Sequence, residues 1–278
     1  MQIVSYSQLR SLTRCRWQWG VRYLKRLYSK EQKDYMDVGK LVHNALAQLY
    51  GLGEIDWEIL RSEFTGNLRP EILEESKRVV NAYLANDEVE FPGRILGVEF
   101  PFQVRLPFDI ILVGWIDLIT KVDGKIWLWD HKTSSRMTKQ ITPPDREQLS
   151  LYAWGLMKLG APVGGVGVNR ITTAKKPTFA RFSEGVSEAD LISRSKNFVA
   201  NCKSLPPESI SMTDLPRAFQ RDCSWCDYRD LCALDLHDRM EDVSRAVAKD
   251  FNYSAPGSTE AYLEKYNTQL PAWWLEYV

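Results

Sequence analysis

Asp117, Asp130 and Lys132 flank one tight turn in the stretch ILVGWIDLITKVDGKIWLWDHK, where their types and spacing can build a metal site. Asp123-Gly124, set between two runs of apolar, β-branched and aromatic residues, reads as a two-residue hairpin turn. Val122 then faces Lys125. Counting outward places Asp117 opposite Asp130, with Lys132 two residues on and on the same face. Like charges across a ladder repel unless something sits between them, and a hard divalent cation is the natural occupant. A cation held there can activate water for hydrolysis, with Lys132 beside it. The competing reading is a solvated hairpin face carrying a chance charge pair.

A second concentration of chemistry lies in the cysteines. Cys223, Cys226 and Cys232 form C-x2-C-x5-C, and Cys15 stands alone in SLTRCRWQWG near the start. Four thiolates accept either zinc or an iron-sulfur cluster, so the residue types leave both open. His237 could replace one cysteine in a zinc site, and Cys202 is expected as a buried spare thiol. Gln148 and Tyr152, at i and i+4, share one face of a helix, where they either position a substrate or pack.

These groups need elements to hold them. Ser5 or Ser7 can cap a helix running to about Lys30, with Cys15 on the way. A second helix, about 35–50, carries His43 among Leu41, Ala45, Leu46 and Leu49 at helical spacing. Helices flank Pro70, Glu99 sits in a strand leading into the hairpin, and a helix at about 145–158 carries Gln148 and Tyr152. Strands near 164–173 and 178–182, a helix at 187–202 and a proline-bearing loop at 204–222 then deliver the chain to the cysteines. The pattern is α/β, a mixed sheet flanked by helices. One domain is expected over residues 1–250 and a tail over 251–278, whose Trp273 and Trp274 fold back or meet a partner or bases.

Composition bounds the function. A chain of 278 residues with 44% apolar content can bury a sizeable core. No apolar run approaches the roughly 20 residues of a membrane span, and arginines interrupt any signal-peptide pattern, so a soluble cytoplasmic protein is expected. Five cysteines in that compartment point to metal ligands or buried thiols rather than disulfides. With 36 basic against 36 acidic residues, no global field draws the chain to nucleic acid, and any such binding must be local. Arg10, Arg14, Arg16, Arg22, Lys25, Arg26 and Lys30 concentrate positive charge near the start; Arg136, Lys139, Lys175 and Lys176 add smaller groups.

Gly114-Trp115-Ile116-Asp117, a turn, then Asp130-His131-Lys132 resembles the core of the PD-(D/E)xK nuclease superfamily. Gly39-Lys40-Leu41-Val42-His43, Glu99 in VEFPF, and Gln148 with Tyr152 in EQLSLYAWGL resemble marks of its RecB-type branch. The four cysteines resemble the clasp of the iron-sulfur members of that branch, which include CRISPR-associated adaptation exonucleases and phage-encoded relatives. The resemblance implies a restriction-endonuclease-like fold whose C-terminal cysteine cluster is clasped to the N-terminal helix. It implies that His43, Asp117, Asp130 and the His131 backbone carbonyl ligate Mg2+ or Mn2+, the imidazole favouring Mn2+. Lys132 would orient or help deprotonate the attacking water, Glu99 would hold a second ion or orient a ligand through water, and Gln148 and Tyr152 would position the substrate phosphate.

By the same resemblance Cys15, Cys223, Cys226 and Cys232 would hold a 4Fe-4S cluster, with Zn2+ the alternative. On the nuclease reading, Arg14, Arg16 and Arg22 would contact DNA phosphates. The activity implied is that of a metal-dependent deoxyribonuclease, an exonuclease on single strands or DNA ends. A structure-selective endonuclease and a non-catalytic DNA-end-binding subunit are the alternatives. The chain has no P-loop, so a helicase or recombination protein would be a separate partner, in DNA repair or recombination.

Overall fold

Asp123 and Gly124 both adopt positive φ, 49° and 76°, the mirror-image turn whose twist matches its flanking strands. They join β4 (Ile110–Val122) to β5 (Lys125–Ser134), paired from Val122 with Lys125 to Leu118 with Trp129. This is the register read from the sequence. The computed structural model describes residues 2–30, 33–64, 68–86, 89–106, 109–237, 239–254 and 263–266. Trp273 and Trp274 lie outside the described residues.

The chain opens with β1 (Gln2–Ser5) and α1 (Tyr6–Arg14), whose cap is Ser5, its side chain accepting from the Gln8 N–H. The helix expected to continue to Lys30 does not. Cys15 is extended, with φ −160°, and separates α1 from α2 (Arg16–Trp19); a π-helical turn, Gly20–Leu24, and β2 (Leu27–Ser29) follow. Trp17 and Trp19 both lie in α2, on different sides of it, and each is only 3% exposed, so this short segment is packed on both sides. The break also gives the Trp17 N–H a partner elsewhere in the chain, the Pro216 carbonyl, at 3.2 Å.

Next come α3 (Asp34–Leu52), α4 (Trp57–Glu63) and α5 (Pro70–Leu84), which starts on the expected proline. β3 (Arg94–Leu106) precedes the hairpin; α6 (Pro143–Lys158), β6 (Val163–Thr172), β7 (Phe179–Gly185) and α7 (Glu188–Cys202) follow it. α8 (Arg229–Leu236), α9 (Met240–Asp250) and β8 (Phe251–Tyr253) end the described elements. β8 pairs antiparallel with β2, so the first residues assigned to the tail belong to a small second sheet. Tyr266, further along, lies against Trp115 with ring centroids 5.9 Å apart.

The main sheet has six strands in mixed directions, flanked by helices as expected. β3 runs antiparallel along almost all of β4. On the other edge β1 pairs with residues 110–113, in parallel, and β5 with 118–122, which leaves Gly114–Asp117 between them without a ladder partner on that edge among the described residues. The sheet splits at the GWID segment. The ring of Tyr152 enters beside the split, where a Cβ on Gly114 would stand 2.7 Å from Phe102 and 2.9 Å from Tyr152, so only glycine admits them.

Two apolar clusters hold the layers. One joins α1, α2, α6 and α7 to the sheet through Leu9, Trp17, Phe102, Leu149, Leu156 and Phe198; the other joins α3 and α5 through Leu41, Val42, Leu46, Val79, Val80 and Tyr83. Each fully buried side chain of this size contributes about 1.5–3 kcal/mol, against the entropy of ordering it.

Candidate active site

Three strands bring carboxylates together at the split. Glu99 on β3 falls between the pairs Val98–Leu118 and Phe100–Ile116, opposite Asp117. Its φ is +46°, a left-handed conformation inside a strand that costs roughly 1–2 kcal/mol for a residue with a Cβ. Asp117 in turn accepts the backbone N–H of His131 at 2.7 Å across the gap to β5. Asp130 is 6% exposed and stands beside Lys132, with Nζ 3.1 Å from Oδ1 and 2.8 Å from Oδ2.

α3 supplies the histidine. A Cβ on Gly39 would stand 2.8 Å from Thr133 Oγ1, and this close approach to β5 positions His43 one turn later. His43 Nδ1 lies 3.5 Å from Asp117 Oδ2. Among the described residues, the donor atoms of His43, Glu99 and Asp117 are the group of three that closes to within 4.8 Å, a span one cation can bridge. Glu99 thus stands nearer that centre than the role expected of it required, while Asp130 is engaged with Lys132.

α6 supplies the other wall. Thr142 and Asp145 form a capping box, and buried Asp145 also pairs with buried Arg170 of β6, which ties the helix start to the sheet. One turn further, Gln148 reaches Lys132 Nζ at 3.4 Å and Asp130 Oδ1 at 3.5 Å. Tyr152, 8% exposed, follows one turn later and packs on Phe102.

Burial raises the Asp117 carboxyl to about 6, against the lowering effect of the His131 N–H and Lys132. Burial likewise raises Asp130 to about 6, and burial with Asp117 and Asp130 nearby raises Glu99 to about 7. Burial also opposes charge on Lys132, but Asp130, Asp117 and Asp145 outweigh it and raise its pKa, so it is an ammonium. His43 is lowered by burial, with Asp130 and the His131 backbone pulling the other way. Three carboxylates that resist ionisation and a neutral imidazole beside them form a donor set suited to a divalent cation. Asp130 Oδ2 is buried with the Lys132 ammonium 2.8 Å away, and its second lone pair could serve such an ion.

The His131 ring points away from this centre. It is 2% exposed, stacks on Tyr50 at 5.9 Å, and meets Asn169 Nδ2 at 3.1 Å; the amide in turn donates to Tyr83, which is hydrogen-bonded to Tyr50. This buried polar chain was not read from the sequence, because its four members come from four elements. The pocket over the carboxylates, about 460 Å3, has Tyr35, Met36, Lys40, Asn44 and Thr133 on its walls. Sequence reasoning missed these as site residues, although the spacing of Tyr35, Gly39 and His43 shows them on one helical face.

The cysteines form a separate site. Cys15, at the break after α1, shares a pocket of about 180 Å3 with Cys223, Cys226 and Cys232. Burial raises the thiols of Cys226 and Cys232, and Cys15 is near enough to add to both shifts. The segments are also joined without metal: Gln220 Nε2 donates to the Arg14 carbonyl at 3.0 Å, and the Arg217 guanidinium lies 4.9 Å over the Trp17 ring. Cys202 is buried elsewhere, its thiol pushed up to about 12 by burial. His237 is exposed at the end of α8 and is not among the residues lining this pocket.

Arg14 and Arg16 sit with Cys15, lining a neighbouring pocket, and Arg22 stacks over Tyr23 and Tyr28. The structure therefore groups Arg14 and Arg16 with the cysteine site, and none of the three arginines lines the pocket over the carboxylates. No helix of the described residues is long and apolar enough to cross a membrane.

Residues 3–233 match the PD-(D/E)XK nuclease superfamily. No curated protein sequence matches the chain. Among solved structures, a candidate exonuclease from Eubacterium rectale superposes with a TM-score of 0.56 at 14% identity, covering 80% of this chain and 86% of that one. At that identity the likeness speaks to the fold. A second structure, SSO0001, is also 14% identical, with a TM-score of 0.38 and coverage of 82% and 84%, too distant to bear on it.

Proposed function

Because the chain belongs to the PD-(D/E)XK nuclease superfamily, we propose that it is a Mg2+- or Mn2+-dependent deoxyribonuclease, acting as an exonuclease on single-stranded DNA or DNA ends in the cytoplasm. The observation that carries this reading is the convergence of Glu99, Asp117 and Asp130 from three adjacent strands, with His43 and Lys132 beside them. The solved neighbour described as a candidate exonuclease supports the same direction.

A divalent cation bound here would acidify a water and stabilise charge on the phosphoryl oxygens. Asp117, Glu99 and His43 would hold it, with Asp130 Oδ2 and the His131 carbonyl completing the set. Lys132, held beside Asp130 and Gln148, orients or helps deprotonate the attacking water and, as an ammonium, offsets developing negative charge. Gln148 and Tyr152 line up from α6 to position the phosphate.

We read the cysteine site as holding a 4Fe-4S cluster, with zinc the alternative, because Cys15, far upstream in the sequence, shares one pocket with Cys223, Cys226 and Cys232, whereas a zinc knuckle draws its ligands from nearby. The cluster is structural on this reading, tying the N-terminal segment to the C-terminal one. A helicase or recombination protein would present the DNA.

The test is digestion of end-labelled linear and circular single strands with Mg2+ or Mn2+. Loss of the linear strand with survival of the circle is the expected result. Cleaved circles would establish an endonuclease, and two intact substrates would leave a DNA-end-binding subunit.

A further inference from the structure

We propose that Tyr35 is a base-stacking platform at the mouth of the catalytic pocket and that it selects unpaired DNA; the proposal deepens the nuclease reading above and rests on it. The wall of that pocket is one stripe of α3, running from Tyr35 and Met36 through Gly39 and Lys40 to His43 and Asn44. His43 closes on Asp117 at the floor, and Tyr35 stands at the rim. Eight residues separate them, two turns and about 12 Å along the axis. That reach places the ring one or two nucleotides away from a phosphate held at the carboxylates.

Tyr35 is 66% exposed and Met36 47%, in the first turn of a helix that buries Val38, Leu41 and Val42 on its other side. Packing therefore gives no reason for a large ring at this position. Lys40, its side chain 61% exposed, adds a cation on the same rim, with Asp37 at i−3 3.3 Å away and the Phe64 ring 6.0 Å from its ammonium. An aromatic face beside a lysine, above a cation-binding floor, matches a nucleic-acid strand: the ring stacks a base, the ammonium meets a phosphate and the floor takes the scissile phosphate. In a duplex the base faces are already stacked and paired. Only an unpaired or frayed base can lie on Tyr35, so the ring converts a sequence-blind metal site into one that favours single strands.

The experiment measures binding in a Lys132→Ala background, where cleavage is not expected, by fluorescence anisotropy of a labelled mixed-sequence single strand and a blunt hairpin duplex. Tyr35→Ala should weaken single-strand binding by roughly 5- to 100-fold, the range of one base–aromatic stack, and weaken duplex binding much less. Tyr35→Phe should bind as the parent does. In the otherwise native chain the Tyr35→Ala loss should fall on KM for single strands more than on kcat. Equal losses on both substrates, no loss at all, or a Phe variant as weak as Ala would overturn the proposal, as would a parent protein that does not bind single strands. A native chain that binds single strands through Tyr35 yet cleaves nothing with Mg2+ or Mn2+ would overturn the nuclease reading alone.

Discussion

The backbone N–H of His131 donates to Asp117 Oδ2 at 2.7 Å, so β5 grips a carboxylate that β4 carries, at the point where the two strands part. The bond stands where the next rung of the ladder would be. Asp117 is thereby fixed before any ion arrives, while the ladder itself ends at Leu118 with Trp129, one pair short of the Asp117–Asp130 rung expected from the hairpin.

Replacing Asp117, Asp130 or Lys132 with Ala should lower cleavage by about 100-fold or more, because each removes charge stabilisation or an ion ligand that no neighbour replaces. Circular dichroism and metal content at the cysteine site should be unchanged. Full activity in Asp130→Ala would remove the assignment.

Glu99→Gln should stabilise the metal-free protein at pH 8 by on the order of 1–3 kcal/mol, since burial beside two carboxylates raises Glu99 to about 7. A carboxyl whose folded pKa is raised contributes its stability below the unfolded pKa and loses it as pH rises through the folded value. The gap between variant and parent should therefore open between about pH 4.5 and 7 and stay open above. Denaturant melts across that range in chelator check it; a gap independent of pH would contradict the burial argument.

Anaerobically purified protein should be brown, with about four irons and four sulfides per chain. Cys15→Ala should lose the metal as fully as Cys226→Ala, whereas Cys202→Ala should keep it at a cost of about 1 kcal/mol for the small cavity. One zinc per colourless chain would replace the cluster with a zinc site.

Arg14→Glu with Arg16→Glu should weaken DNA binding and flatten its salt dependence by roughly one counterion per lost phosphate contact, with little effect on cleavage at saturating DNA. Anisotropy titrations at several salt concentrations read the slope. An unchanged slope would move the DNA path to Lys175, Lys176 and the segment from Arg136 to Lys139.

Much of this site was legible because it is local. The hairpin register, the helix bearing His43, and Gln148 with Tyr152 all follow from spacing within one or two elements. The mixed sheet with flanking helices follows from the alternation of strand and helix patterns. What stayed hidden depends on tertiary context: the left-handed Glu99, the break at Cys15, and the Asn169 amide against His131. None leaves a periodic trace in the sequence. The arginines of the N-terminal segment were legible as a charge concentration, but the location of Arg14 and Arg16 beside Cys15 was not.

The antiparallel pair of β2 with β8 has a consequence for how the protein is made. Leu27–Ser29 emerge from a ribosome before Phe251–Tyr253, which are synthesised after every residue of the carboxylate pocket. The Cys15 thiol likewise waits for its three pocket neighbours, of which Cys232 is the last. Assembly of the cysteine site therefore follows synthesis of the carboxylate centre, and a nascent chain stalled between Tyr152 and Cys223 carries every residue of that centre while Cys15 is still alone. Oxidative stress during translation would strike at that stage, through an early cysteine that has nothing yet to bind.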